Sequence, residues 1–153
     1  MSKRPFVLFG IFAALCLLVL PFIALGKEGE ESAATVEVAS ADLDSKDLFF
    51  NNCGPCHTLA AAGTDGVVGP NLDELLVTSG ANAPEQYEGI YTRVLTAVTC
   101  GVEGRMPRSI VLGEEAKDVA AFVAAYAGQI GKGPTVDLAT AAEPEPAPCQ
   151  PAG

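Results

Sequence analysis

The sequence predicts an all-α domain of about four helices joined by long loops. Apolar residues recur at the three- and four-residue spacing of helices, and no stretch alternates between apolar and polar residues as a half-buried strand does. The foldable part of the chain is short, so its core is marginal without a bound group or a crosslink. Long loops in so small a domain indicate that something other than the chain fills its centre.

The first two predicted helices are short. Residues 45–52 form the first, with Leu48 and Phe49 on its apolar side. Residues 72–78 form the second.

The two longer helices carry clearer signals. The third is predicted over residues 84–99, because Pro84 suits a first helical turn and the apolar residues that follow have helical spacing. The fourth is predicted over residues 114–127. Acidic residues in its first turn complement the helix dipole, and Gly128 ends it.

The N-terminus is strongly apolar, and residues 6–25 contain no charged residue. A helix of about 20 residues spans about 30 Å, the hydrocarbon thickness of a bilayer. Lys3 and Arg4 precede the stretch, which orients the N-terminus to the cytoplasm and exports the rest. Residues 1–26 are therefore predicted to be a transmembrane anchor, with the following domain on the extracytoplasmic, periplasmic side of the cell membrane. The alternative is a secretory signal cleaved after Gly26, which would give a secreted or periplasmic protein.

The rest of the chain divides by composition into three parts. Residues 27–41 are small, acidic and aperiodic, and are predicted to be a flexible linker. Residues 42–130 form the folded domain. Residues 131–153 are rich in proline and alanine, a composition that cannot bury a core, so an extended or disordered tail is expected.

The charge of the chain is acidic, with a formal net value of −10 at pH 7. All 19 acidic residues follow the apolar segment. This argues against binding nucleic acid through a basic patch. It indicates a partner protein with a basic docking face, unless the acidity serves only solubility.

Residues 53–57 read Cys-Gly-Pro-Cys-His, the C-x-x-C-H pattern of c-type haem attachment. In such a site the thiols of Cys53 and Cys56 bond to the two vinyl groups, and His57 ligates the iron. A thioredoxin-type redox motif has the same cysteines but needs a strand–helix context, which is not predicted here. A structural zinc site needs four ligands, and His57 is the only histidine. The sequence favours one covalent haem c.

Met106 is the only methionine apart from the initiator. It is followed by Pro107, and the lack of a second histidine excludes bis-histidine ligation within the chain. Met106 is therefore predicted to be the second axial iron ligand. The alternative is a methionine that fills a gap in the core.

Together these residues resemble the monohaem class I cytochromes c, over residues 42–128. The family's attachment motif follows the first helix, its Gly-Pro-x-Leu element matches residues 69–72, and its Met-Pro motif matches residues 106–107. The resemblance implies that the Pro70 carbonyl accepts a hydrogen bond from the non-ligating nitrogen of His57.

The resemblance also implies the small cytochrome c fold, with about four helices and long loops wrapped around one covalent haem. The first and last helices of the family cross through aromatic residues, which correspond to Phe49 and Tyr126. Ser45 stands where the family often has glycine.

The function implied is that of a high-potential one-electron carrier in a respiratory-type chain, with His/Met axial ligands and no enzymatic activity. Its partners would be a quinol-oxidising complex and a terminal oxidase or similar acceptor. One alternative is the haem subunit of a larger membrane oxidoreductase complex. Another is a ligand-binding or peroxidatic haem protein in which Met106 is labile.

Two further cysteines, Cys100 and Cys149, lie on the side of the membrane where thiols tend to pair. The tail is long enough to cross the domain if extended, so a Cys100–Cys149 disulfide is predicted. The alternative is a buried Cys100 thiol and a free Cys149 on the tail.

Overall fold

A computed structural model describes residues 12–17, 36–77, 83–145 and 149. The chain divides into two compact units, Met1–Ala33 and Ala34–Gly153. In the first unit residues 12–17 are helical, and the rest of the predicted anchor lies outside the described residues. Within the described ranges no helix has both the length and the apolar character needed to span a bilayer.

The second unit is built mainly from helices. In chain order its elements are a 3₁₀ turn at Ser40–Asp42, α1 at Leu43–Asn52, β1 at Thr58–Leu59, a 3₁₀ turn at Ala60–Ala62, β2 at Thr64–Asp65, α2 at Leu72–Leu75, a 3₁₀ turn at Pro84–Gln86, α3 at Tyr87–Cys100 and α4 at Glu114–Tyr126. The two strands pair antiparallel, with Thr58 opposite Asp65 and Leu59 opposite Thr64.

The helical class predicted from the sequence is confirmed, but its details differ. Helices occur at the four predicted places, and residues 12–17 bring the α-helical segments of the described chain to five rather than about four. The helix predicted over residues 72–78 already ends at Leu75. The small β1–β2 hairpin was not predicted, because strands of two residues are too short to show alternation.

The core forms where α4 packs against both α1 and α3. The ring of Phe49 on α1 lies 6.3 Å, between centroids, from Phe122 on α4, and Phe122 lies 4.8 Å from Tyr126. All three side chains are almost completely buried. The first and last helices therefore meet through aromatic rings, but the ring that contacts Phe49 is Phe122, and Tyr126 contacts Phe122 in turn.

Tyr126 also fastens the segment before α1 to the core. Its hydroxyl donates to the carboxylate of Asp42 at 2.7 Å and accepts from the backbone N–H of Ala39 at 2.9 Å. Burial raises the pKa of Tyr126 to about 12, and the neighbouring Asp42 carboxylate acts in the same direction. The tyrosine thus stays a neutral donor throughout the physiological range.

The end of the predicted flexible linker is docked onto the domain. Val36 and Val38 pack against the core, and the backbone N–H of Glu37 donates to the carbonyl of Lys132 at 3.3 Å. This packing is possible because Val36 and Val38 are separated by one residue, which places both side chains on the same side of an extended segment.

The described part of the tail also contacts the core. It has no helix or strand, but Val136 and Leu138 pack against the core. Thr135 donates both its backbone N–H and its hydroxyl to the carbonyl of Ala125, each at 2.9 Å. The high proline and alanine content of the tail gives no sign of these few residues that pack or form hydrogen bonds.

Candidate functional site

The attachment motif begins where α1 ends. The backbone N–H of Cys53 donates to the Phe49 carbonyl at 2.8 Å, and the N–H of His57 donates to the Cys53 carbonyl at 2.9 Å. The chain therefore turns tightly through residues 53–57. The turn keeps the two cysteines and the histidine on one short, hydrogen-bonded segment next to the core.

The two cysteines of the motif have different surroundings. Cys53 is 5% exposed and belongs to the core, whereas Cys56 is exposed. Burial, with a smaller contribution from the nearby Cys56, raises the pKa of the Cys53 thiol to about 11. Thioredoxin-type motifs instead have a thiol of lowered pKa, commonly at a helix N-terminus. The position at the end of α1 thus opposes a thiol-redox centre and is compatible with covalent attachment.

The imidazole of His57 is oriented by the loop that follows β2. Its Nδ1 lies 2.9 Å from the carbonyl oxygen of Pro70, the acceptor that the family resemblance implied. A carbonyl can only accept, so this contact places the proton on Nδ1 and leaves the Nε2 lone pair available to a metal.

Gly69 supplies the surface against which the ring lies. A Cβ at this position would come within 2.5 Å of Cε1 and 2.7 Å of Nδ1 of His57. The Gly69 N–H donates to the Cys56 carbonyl at 2.7 Å, which fixes the loop to the motif. Gly66 makes a similar close approach, because a Cβ there would lie 2.6 Å from the His57 backbone nitrogen. Sequence analysis missed this role for the glycines.

Met106 lies in a separate turn after α3. It forms a single antiparallel bridge with Val102, with N···O distances of 2.9 and 2.8 Å, and it packs, partly buried, against the core. Gly101 and Gly104 have positive φ angles of 73° and 67°, which shape this turn. The turn thus has a defined conformation, and ligation of iron by Met106 remains a prediction.

The predicted disulfide is confirmed. Cys100, the last residue of α3, is bonded to Cys149, with a Cα–Cα distance of 5.4 Å. The bond fastens the end of the chain at the start of the loop that contains Met106.

The residues present fit the predicted haem. Two thiols lie at the spacing required by the vinyl groups, and an imidazole with a free Nε2 is held beside them. Among the described residues, no group of three or more His, Cys, Asp or Glu side chains is placed to hold a metal ion.

No protein-family model matches the chain. No curated protein matches it either. Among solved structures, the chain is similar to the c-type cytochrome SorU from Sinorhizobium meliloti, with 36% identity over 63% of this chain and 99% of that chain. The TM-score is 0.46. Because the identity extends over nearly all of that cytochrome, the chain belongs to the c-type cytochromes.

Proposed function

We propose that this chain is a high-potential one-electron carrier with one haem c. Cys53 and Cys56 would hold the haem covalently, and His57 and Met106 would be its axial ligands. The observation that carries the proposal is the 2.9 Å contact between His57 Nδ1 and the Pro70 carbonyl. It gives the imidazole the tautomer and the orientation that an axial ligand needs.

Electron exchange at the iron is the chemistry that the haem supplies when bound. The chain's own residues set its conditions. The Nδ1–H bond to Pro70 makes the imidazole of His57 more basic, and Met106 provides a thioether, which raises the reduction potential. With both axial positions filled by side chains, no coordination site is left for a substrate. We therefore propose a carrier rather than an enzyme.

The proposed setting is the extracytoplasmic side of a cell membrane, with residues 1–26 as anchor or cleaved signal. There the domain would accept electrons from a quinol-oxidising complex and pass them to a terminal oxidase or similar acceptor. The net charge of −10 supports docking to basic faces on these partners, because complementary charge speeds association.

The test begins with the intact, purified holoprotein. Mass spectrometry should find one haem bonded to the peptide that contains Cys53 and Cys56. Visible spectra of the ferrous protein should not change when carbon monoxide is added, because Met106 fills the second axial position. A carbon monoxide complex under native conditions would instead support a ligand-binding protein. Stable co-purification with an oxidoreductase from native membranes would support the role of a complex subunit.

A further inference from the structure

Asp73, in the first turn of α2, connects two distant parts of the backbone. Its Oδ2 accepts a hydrogen bond from the N–H of Ala60 at 2.7 Å, and its Oδ1 accepts one from the N–H of Gly128 at 2.8 Å. Its own N–H donates to the side chain of Asn71 at 3.0 Å, which caps the start of the helix. Asp73 is thus held in its turn by Asn71, and its carboxylate links that turn to the backbone at Ala60 and at Gly128.

The segment that contains Pro70 and Asp73 contacts the attachment motif at one point and the chain just after the motif at another. The Pro70 carbonyl contacts the ring of His57, and the Asp73 carboxylate contacts the backbone of Ala60. Gly128 lies two residues beyond the end of α4, so the bond to its N–H ties Asp73 to the chain just after the last helix. The position of Pro70 relative to His57 therefore depends on a bridge to α4.

We propose that Asp73 is a positioning residue for His57. By joining Ala60 to Gly128, its carboxylate fixes the distance between the imidazole and the Pro70 carbonyl. This rests on the proposed function, in which His57 is an iron ligand. Both groups that face Asp73 are N–H donors, so the site requires two acceptors. An asparagine offers one oxygen and one NH₂, which would set a donor against a donor.

The experiment compares Asp73→Asn with Glu74→Gln in the full-chain holoprotein. Glu74 is the exposed neighbour in α2, so its substitution removes the same charge without touching the bridge. Amide exchange followed by NMR in the ferrous state should accelerate about tenfold or more at Ala60 or Gly128 in Asp73→Asn only, because hydrogen bonds to charged groups are worth at least that factor.

The readout that separates positioning from stability is taken at His57. A weaker bond to Pro70 makes the imidazole less basic and stabilises the ferric state less. Asp73→Asn should therefore raise the reduction potential more than Glu74→Gln does, and it should shift the NMR resonance of the His57 Nδ1 proton. The positioning role would be overturned if amide exchange in Asp73→Asn accelerates while the reduction potential and the His57 Nδ1 proton resonance change only as they do in Glu74→Gln. Unchanged exchange would overturn the bridge itself.

A second variant covers the case in which Asp73→Asn does not fold. Asp73→Glu keeps the charge and both acceptors but is one methylene longer, which displaces the turn. Its His57 Nδ1 proton should shift more than in Glu74→Gln, and an unshifted resonance refutes the proposal. Failure of the proposed function would be recognised separately, because the wild-type chain would then lack covalent haem before any substitution is made.

Discussion

Gly69→Ala should displace the imidazole of His57. The new Cβ would lie 2.5 Å from Cε1, 2.7 Å from Nδ1 and 2.9 Å from Nε2. Non-bonded carbon atoms prefer about 3.5–4.0 Å, so ring and loop must separate by about 1 Å. The loop cannot easily retreat, because the Gly69 N–H is bonded to the Cys56 carbonyl at 2.7 Å. The ring must therefore move, which breaks its contact with Pro70.

Two effects contribute to the expected loss of unfolding free energy in Gly69→Ala. Overpacking a well-packed site costs about 1–3 kcal/mol, and a lost hydrogen bond costs about 0.5–1.5 kcal/mol. We expect the unfolding free energy of the holoprotein to fall by about 2–4 kcal/mol, measured by guanidinium unfolding followed by circular dichroism. The matched control is Gly89→Ala in α3, where an added Cβ meets nothing within 4 Å. It should stabilise the protein by about 0.5–1 kcal/mol through helix propensity.

The reasoning fails if Gly69→Ala unfolds at the same guanidinium concentration as the wild type and keeps the wild-type resonance of the His57 Nδ1 proton. Loss of stability with an unshifted resonance would mean that the loop moves and the ring stays. That result would refute the claim that Gly69 forms a fixed surface for the imidazole.

Four further predictions follow from the same structure. Met106→Ala should remove the weak far-red band expected, from the family resemblance, of Met–Fe ligation, and should lower the reduction potential, because a thioether favours ferrous iron; spectroelectrochemistry measures both. Replacing Cys53 and Cys56 by serine should prevent covalent haem attachment and leave a largely unfolded chain by circular dichroism, because the core is small. Cys149→Ser removes a disulfide with a sequence separation of 49. The chain-entropy model predicts that the unfolding free energy, measured with guanidinium, then falls by about 4 kcal/mol. Stability should also fall as pH rises from about 10 to about 12. Burial raises the pKa of Tyr126 to about 12 from 10.0, so in this window the native state binds the proton that the unfolded state has lost.

Each of these has a result that contradicts it. A far-red band that persists in Met106→Ala removes this residue from the coordination sphere, and cooperative unfolding of the haem-free double variant shows that the chain alone fills its core. Cys16→Ser, a free cysteine in the other unit, is the control for Cys149→Ser, and equal stabilities would refute the contribution of the disulfide. A pH dependence in Tyr126→Phe identical to that of the wild type would assign the alkaline loss to another group.

The parts of this protein that could be predicted from sequence are the local ones. The attachment motif is five consecutive residues, and α3 and α4 show their periodicity within single stretches of chain. The acceptor for His57 was reached only through the family resemblance, because a contact between His57 and Pro70 has no local pattern. The disulfide could be predicted because few cysteines were left to pair.

The parts that could not be predicted depend on contacts between distant residues. Asp73 is one acidic residue among 19, and nothing in its neighbourhood indicates a bond to Gly128, 55 residues away. The two valines that dock the end of the linker lie in an otherwise acidic, aperiodic segment. Such contacts form only in the folded chain, because the residues that make them are far apart in sequence.

The two sides of the proposed iron site are supported to different degrees. His57 is fixed through its backbone to Cys53, through its ring nitrogen to Pro70, and across its ring face by Gly69. The turn that contains Met106 is closed by the bridge between Val102 and Met106. It is joined to α3 by the N–H of Ser109, which donates to the Val98 carbonyl at 3.1 Å and has a positive φ of 59°. A non-glycine residue in that region is strained, so the conformation of this turn is less favourable than that of the histidine side.

This asymmetry gives the disulfide a role. The bond at Cys100 fixes the chain where α3 passes into the methionine turn. A crosslink lowers the conformational freedom available to a segment as it opens. The covalent support therefore lies on the methionine side, whose described hydrogen bonds are made by the backbone. In the proposed carrier the potential would depend on the Met106 thioether staying bound, so a crosslink beside this turn would support that ligation.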